Sequence, residues 1–393
     1  MSNINETASQ KYRLPTNCKG LDTYLMNESV LVYSKKTQQV RGYEKGKAAL
    51  YLQIEALLQT HARKDILEIF SHVDSDLLSE MIALAGCKES TEILEYQTTI
   101  KMGQFVAGNS ARTMYVVEDL GFAIHYPDEE LFASLHPLLE HLNVQHNDLK
   151  MRVSIDLIRS GTSWKIKWND TITEVVIPQV RLAGYLQDMM MTAAFQSHPL
   201  LIKLHAASVE KKGRVVVMPA VAGSGKSTLT ASMLRHGFKL FSDEATSMDK
   251  NGYVQPLPFS LNIKEGSWDV LAPIYPHLEN LDVHSRFDGQ NIRFLPPEPM
   301  HEGRQKASHI VFPRYTPGSR TLLTPLGTTP ALLKIKEAGY YVQDNMDDKK
   351  FALIIDNLLS LPKYSLVYSD LDEAITMIDD LIASDTVEAN DGS

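Results

Sequence analysis

Residues 215–228 read VVVMPAVAGSGKST, an apolar, β-branched run followed directly by a glycine-rich loop and a lysine. A phosphate-binding loop needs a buried strand, a turn whose backbone N–H groups surround the anion, a lysine reaching the β and γ oxygens, and a hydroxyl for magnesium. Val215 to Met218 supply the strand, Gly223, Ser224, Gly225 and Lys226 the turn and charge, and Ser227 the hydroxyl. Ala222 through Thr228 are therefore the expected nucleotide contacts. The residues that follow, TLTASMLRHG, continue as a helix whose N-terminal dipole favours an anion. Ala220 departs from the pattern G-x-x-x-x-G-K-[ST], which has glycine there. If that position required positive φ, alanine would cost on the order of 1 kcal/mol. The alternative is a glycine-rich strand-to-helix turn that holds no ligand.

The next strand, FKLF (238–241), runs into Ser242, Asp243 and Glu244, which places two carboxylates at the carboxyl end of a strand beside the loop. Open α/β sheets bind ligands at such ends. In phosphoryl transfer one carboxylate can take the proton of the attacking hydroxyl while the other holds magnesium. The alternative makes Asp243 a metal ligand alone, or a helix cap.

Working outward, 393 residues suffice for roughly two or three domains with a buried core. A net charge of −9 disfavours general attraction to nucleic acid or an anionic membrane, so an anionic ligand needs a specific pocket. The start, MSNINETASQKYR, lacks the apolar core of a signal peptide, and no stretch approaches the roughly 18 apolar residues of a membrane span. The expectation is a cytoplasmic protein with no membrane partner. Cys18 and Cys87 belong to no Cys/His cluster, so free thiols are expected rather than zinc or a disulfide.

Upstream, VLVY (30–33) and QVRGY (39–43) flank a polar turn and read as a hairpin, followed by helices over GKAALYLQIEALLQ, KDILEIFS (64–71) and SDLLSEMIALAG, the last stopping on Gly86. Period-two alternation in RVSIDLI and SWKIKW predicts a second hairpin, with Val153, Ile155 and Leu157 facing one way with Trp164, Ile166 and Trp168. A helix over 181–196 follows, whose methionine run is read as core-facing rather than as a binding groove. Towards the C-terminus, Thr329 before Pro330 predicts a capped helix start. Ser369 or Asp370 starts another, burying Leu371, Ile375, Ile378 and Ile382.

The segment LHAASVEKKGRVVVMPAVAGSGKSTLTASMLRHGFKLFSDEATSMD resembles the core of bacterial HPr kinase/phosphorylase and its relatives, which share a fold with PEP carboxykinase. The family pattern is a histidine at a strand end, a hairpin, the P-loop and its helix, then a strand ending in two acids. His205 stands 21 residues before Lys226 (226 − 205), and Asp243 lies 17 after it (243 − 226). The resemblance implies that Asp243 is the base activating a substrate hydroxyl, that His205 lies hydrogen-bonded close to it, and that Ser227 and Glu244 serve Mg²⁺ with ATP bound. Glu244 and Ala206 stand where the family has aspartate and glycine, so HPr itself is not assumed as acceptor. PLPFSLNIKEGSW and HIVFPRYTPGSRTLLTPL resemble family stretches, which makes Lys264 and Arg314 candidates for stabilising transferring charge. Oligomers are common among such relatives, so a homo-oligomer is an open expectation.

Residues from VLVY onward resemble the small PqqD-like winged-helix module, which implies a peptide added as a strand to a hairpin edge. A structural cap is the alternative. The expected organisation is a disordered segment 1–20, a small hairpin-plus-helices unit 21–95, an HPr kinase-like ATP-binding domain 96–385 and a disordered tail 386–393. The fold expectation is α/β with a mixed α+β periphery: a PEP carboxykinase/HPr kinase-like P-loop domain behind a winged-helix-like unit. The functional expectation is an ATP-dependent kinase acting on a Ser/Thr-type hydroxyl of a peptide, protein or small molecule. Three alternatives remain: PEP carboxykinase-like chemistry, for which no metal-ligand cluster is seen; a nucleotide-gated binding module; and DNA binding, for which the N-terminal unit is not markedly basic.

Overall fold

The computed structural model of the chain describes residues 13–14, 21–26, 29–34 and 39–44, single positions at 50, 51, 54, 66, 70, 77, 78 and 81, and 112–388 apart from 144–148, 174, 287, 302 and 343–345. Cys18, Cys87, the Gly86 helix stop, most of the segment expected to be disordered at the start, and the last five residues of the tail lie outside these.

The hairpin predicted near the start forms as β3 (Ser29–Ser34) and β4 (Gln39–Glu44), with β1 (Arg13–Leu14) and β2 (Leu21–Met26) completing an antiparallel sheet in the order β1-β2-β3-β4. Alternation splits β3 between two cores. Val30 and Val32 pack with Tyr43 against Tyr51, Ile54, Ile66, Phe70, Leu78 and Met81, of which all but Phe70 are helical. Leu31 and Tyr33 point the other way, into the core of the α/β region. There Tyr33 stacks on Phe351 at 4.8 Å and its hydroxyl donates to the Met346 carbonyl at 2.9 Å. This small sheet is thus buried on both faces at β3.

A second sheet contains β5 (Thr113–Val117), β6 (Leu120–His125), β7 (Met151–Ser160), β8 (Ser163–Trp168), β9 (Thr171–Ile172) and β10 (Ile177–Pro178), in the order β10-β8-β7-β6-β5 with β9 on β8. The predicted β7–β8 hairpin turns at Gly161, whose φ of 64° suits glycine, and pairs Leu157 with Ile166 and Ile155 with Trp168. Strands β6 and β7 are parallel, joined through α1 (Glu129–Leu139), which Asp128 caps by accepting from the Leu131 N–H at 2.9 Å. Helix α2 (Gln179–Gln196) buries Met190 and Met191 in the same core.

The largest sheet carries the loop. Strands β12 (Ala206–Lys211) and β13 (Arg214–Pro219) form a hairpin through Lys212 and Gly213, both at positive φ, the geometry of a tight primed turn. Beside them lie β14 (Lys239–Ser242) on one flank and the long β20 (Gln305–Tyr315) on the other, then β23 (Lys363–Tyr368) and β21 (Leu322–Pro325). The start of β20 also pairs with β16 (Tyr253–Val254), which leads through β15 (Thr246–Met248) and β11 (Ile202–Leu204) to β22 (Tyr340–Val342). Helices α3 (Lys226–Arg235) and α7 (Leu371–Glu388) cover one face with Leu229, Met233, Leu234, Ile375, Ile378 and Ile382. Helices α5 (Thr328–Ala338) and α6 (Asp348–Ile354) cover the other. A small sheet of β17 (Leu261–Lys264), β19 (Asn291–Leu295) and β18 (His284–Ser285), with α4 (Trp268–Leu271), stands over the loop.

The chain is therefore mixed α/β with several sheets. The capped start expected at Thr329 is corrected: α5 begins at Thr328 behind Gly327 with no side-chain cap. Pro330 sits in the first turn, where its missing N–H has no partner to lose. Thr329 instead packs against the N-terminal sheet, so closely that a Cβ on Gly42 would lie 2.6 Å from its methyl. Helix α7 does start at Asp370, whose carboxylate accepts from the Glu373 N–H at 2.9 Å, and it runs on to Glu388. Among the described residues no helix is long and apolar enough to cross a membrane.

Candidate functional site

Strand register assembles the site. Ala206 pairs with Pro219 and Ser208 with Ser242, so His205, Ala220 and Asp243, each one residue beyond a strand, emerge at the same edge of three adjacent strands. The Ala220 N–H reaches the His205 carbonyl at 3.4 Å. On the other side β13, β20 and β23 run parallel, with Tyr315 opposite Tyr368 at the carboxyl ends. The loop 220–225 thus leaves a strand of the parallel set where ligand sites of open sheets lie.

The loop's backbone depends on two glycines, Gly223 at φ 81° and Gly225 at φ 86°. Open space surrounds Gly223, whereas a Cβ on Gly225 would lie 2.5 Å from the Tyr368 hydroxyl and 2.9 Å from the Tyr315 Cβ. The Tyr368 hydroxyl donates to the Gly225 carbonyl at 3.2 Å, and the Tyr315 N–H to the Ser224 carbonyl at 2.8 Å. Two parallel strand ends thereby hold the turn from behind. Ala220 has no left-handed backbone, so the missing first glycine costs nothing here. Gly225 is the residue before α3, and the first-turn N–H groups of a helix lack intrahelical acceptors.

A cavity of about 740 Å³ opens in front of the loop. Residues 221–228 form one wall; Asn262, Lys264, Ser267, Val270 and Arg286 form the facing wall, and Tyr315, Tyr368 and Asp370 close an end. Thr228 is tied to that facing wall by a 2.6 Å hydrogen bond between its hydroxyl and that of Ser267. The volume lies in the range of small-molecule sites.

The structure separates the two acids. Asp243 is 4% exposed and lies behind Lys226, whose ammonium donates to the Asp243 backbone carbonyl and stands 3.3 Å from Oδ1. Its Oδ2 is buried without a partner, as is the Ser224 hydroxyl. Glu244 faces the cavity with His205. Burial pushes the Glu244 carboxyl up, but Lys226, His205, Arg286 and a hydrogen bond from Asn262 outweigh it and hold the group below the usual range. Burial lowers the His205 pKa, with Lys226 and Arg286 adding to the effect and Glu244 and Asp243 opposing it, so the imidazole is neutral near pH 7.

Of the residues expected from sequence, His205, Ala222 through Thr228, Glu244 and Lys264 line this cavity. Asp243 touches it only through Lys226, and Arg314 is exposed and outside the lining. Asn262, Arg286, Tyr315 and Tyr368 also line it: Asn262 and Tyr315 belong to the two stretches that carry Lys264 and Arg314, close to the residues singled out there, whereas Arg286 and Tyr368 come from segments with no motif around them. Among the described residues no three His, Cys, Asp or Glu side chains are grouped to hold a metal.

No family model matches the chain, and no curated protein does. Among solved structures it is similar to the HPr(Ser) kinase/phosphatase from Coxiella burnetii, at 9% identity and a TM-score of 0.24, over 48% of this chain and 98% of that one.

Proposed function

We propose that the chain is an ATP-dependent kinase that moves the γ-phosphoryl group to a Ser/Thr-type hydroxyl. The observation that carries this reading is the loop itself: two left-handed glycines ahead of a helix start, with Lys226, open into a cavity that also presents Glu244, His205, Lys264 and Arg286. The loop amides and the α3 N-terminus bind the phosphates. Lys226 leaves Asp243 for the β and γ oxygens, and Asp243, with Oδ2 already unpartnered, accepts the proton of the attacking hydroxyl. Lys264 and Arg286, rather than the outlying Arg314, face the transferring group. Glu244 and Ser227 both offer oxygen donors to the cavity and would hold Mg²⁺, which when bound would neutralise developing charge. The N-terminal sheet is buried on both faces at β3, so a peptide partner could join it only along an edge.

The test is transfer from γ-labelled ATP, with Mg²⁺ and a cell lysate as acceptor source, by the intact protein and by Asp243→Asn. A labelled acceptor formed only by the intact protein, with Asp243→Asn still folded and binding ATP equally, supports the reading. Transfer undiminished in Asp243→Asn removes Asp243 as the base. Tight ATP binding without any transfer makes the nucleotide a gate for partner binding instead.

A further inference from the structure

A second cavity, of about 190 Å³, adjoins the first and shares Glu244, Asn262 and Arg286 with it. One wall is a single face of α2, where Arg181, Gly184, Tyr185 and Asp188 follow the spacing of successive helical turns. Ser285 and Asp288 form the opposite wall, and Ile292 and Phe294 the floor. Apart from the three shared residues, none of this lining has a part in the reaction described above.

Size and charge restrict the occupant. The volume equals roughly six waters, which admits a ligand of about six to eight non-hydrogen atoms and no folded chain. The lining carries both signs, Arg181 and Arg286 with Asp188, Asp288 and Glu244, and Arg286 Nε stands 3.6 Å from Asp288 Oδ2. A polyanion would meet three carboxylates, and an apolar ligand would desolvate charges without replacing their partners. A molecule with one positive and one negative end finds a counter-charge for each.

We propose that this chamber is the acceptor subsite and that its occupant is a small zwitterionic alcohol, a free hydroxy amino acid of serine or threonine size. The assignment rests on the kinase reading above. The ligand's carboxylate lies towards the arginines, its ammonium towards Asp188, and its hydroxyl towards the junction at Glu244. The hydroxyl oxygen forms a bond to the γ-phosphorus, the bond from that phosphorus to the β,γ-bridging oxygen breaks with its electron pair leaving on ADP, and the hydroxyl proton passes to Asp243.

The experiment measures ADP release from Mg-ATP alone and with L-serine, L-threonine, glycerate, which lacks the ammonium, and ethanolamine, which lacks the carboxylate; products are identified by phosphorus NMR. The hydroxy amino acids should raise ADP release about tenfold or more, and each one-charge analogue should do so far less. Arg181→Gln should raise the KM for the amino acid about tenfold. Gly184→Leu fills the chamber, where only the Phe294 ring tip, 3.6 Å from an added Cβ, stands near, and it suits a helix; it should abolish the stimulation. Mg-ATP affinity, measured by calorimetry, should stay within about twofold in both variants, since neither residue lines the nucleotide cavity. Phosphoryl transfer confined to a protein or peptide, or stimulation that survives Gly184→Leu, overturns the subsite while leaving the kinase reading intact. Failure to bind Mg-ATP removes both.

Discussion

Replacing Gly225 by alanine should cost far more than replacing Gly223, although both hold left-handed backbone two residues apart. At Gly223 the added methyl enters open space, so the cost is the backbone term alone, about 1 kcal/mol. At Gly225 the same term is joined by a methyl 2.5 Å from the Tyr368 hydroxyl and 2.9 Å from the Tyr315 Cβ. Tyr368 is 1% exposed and cannot retreat without giving up its bond to the Gly225 carbonyl, worth about 1 kcal/mol, and displacing a packed ring, which overpacking studies put at about 1–3 kcal/mol. The total is about 3–5 kcal/mol. Urea unfolding followed by intrinsic fluorescence compares the two variants directly. Repeating Gly225→Ala in a Tyr368→Phe background, where the clashing oxygen is gone, should recover about 1 kcal/mol as a coupling energy. Equal destabilisation by the two alanines, within about 0.5 kcal/mol, would refute the claim that the parallel strand ends hold the loop.

Ala220→Gly restores the usual loop pattern, yet it should lower stability by about 0.5–1 kcal/mol without tightening Mg-ATP binding in calorimetry, because Ala220 already has ordinary backbone. Acid should destabilise the protein through His141, whose Nε2–H donates to the Pro258 carbonyl at 2.7 Å while Nδ1 is buried unpartnered, and whose pKa burial lowers to about 4. The unfolded chain binds the extra proton between pH 6.5 and about 4, so stability is full above 6.5 and falls by about 2–3 kcal/mol as pH drops through that window. His141→Gln should flatten that slope in unfolding measured at several pH values. Arg304→Met should cost about 2–3 kcal/mol in thermal unfolding, since it removes a two-pronged pairing at 2.8 Å from a largely buried Glu118 that bridges the second sheet to β20's approach; a loss under 0.5 kcal/mol would mean that His198 and Gln255 suffice for Glu118.

The segments legible in sequence were those where local pattern and tertiary role agree. Strand β13, its loop and α3 are contiguous, and alternation alone marks the β7–β8 pair. The two acids after β14 were also visible, but not their division of labour: successive residues leave a strand end in opposite directions, which sends Asp243 behind Lys226 and Glu244 into the cavity. The same alternation explains Arg314, since on β20 its neighbour Tyr315 faces the loop. Arg286 and Asn262 reach the site through the folding of the small β17-β19-β18 sheet, a long-range event that no local spacing announces. The cap expected at Thr329 does not form because its environment is the N-terminal sheet, far away in sequence.

The pairing of Lys226 with Asp243 has a consequence for how this sequence can change over time. Both groups are nearly fully buried, so replacing either one alone strands the other's charge, a step that costs about 3–5 kcal/mol in buried pairs. A lineage that lost phosphate chemistry could shed the two together but would meet a fitness valley in shedding them singly. The pair is therefore expected to persist as a relic in descendants long after nucleotide binding ceased to be selected, and a double Lys226→Met, Asp243→Asn protein, rather than a lysine substitution alone, is the folded control in which loss of binding can be separated from loss of structure.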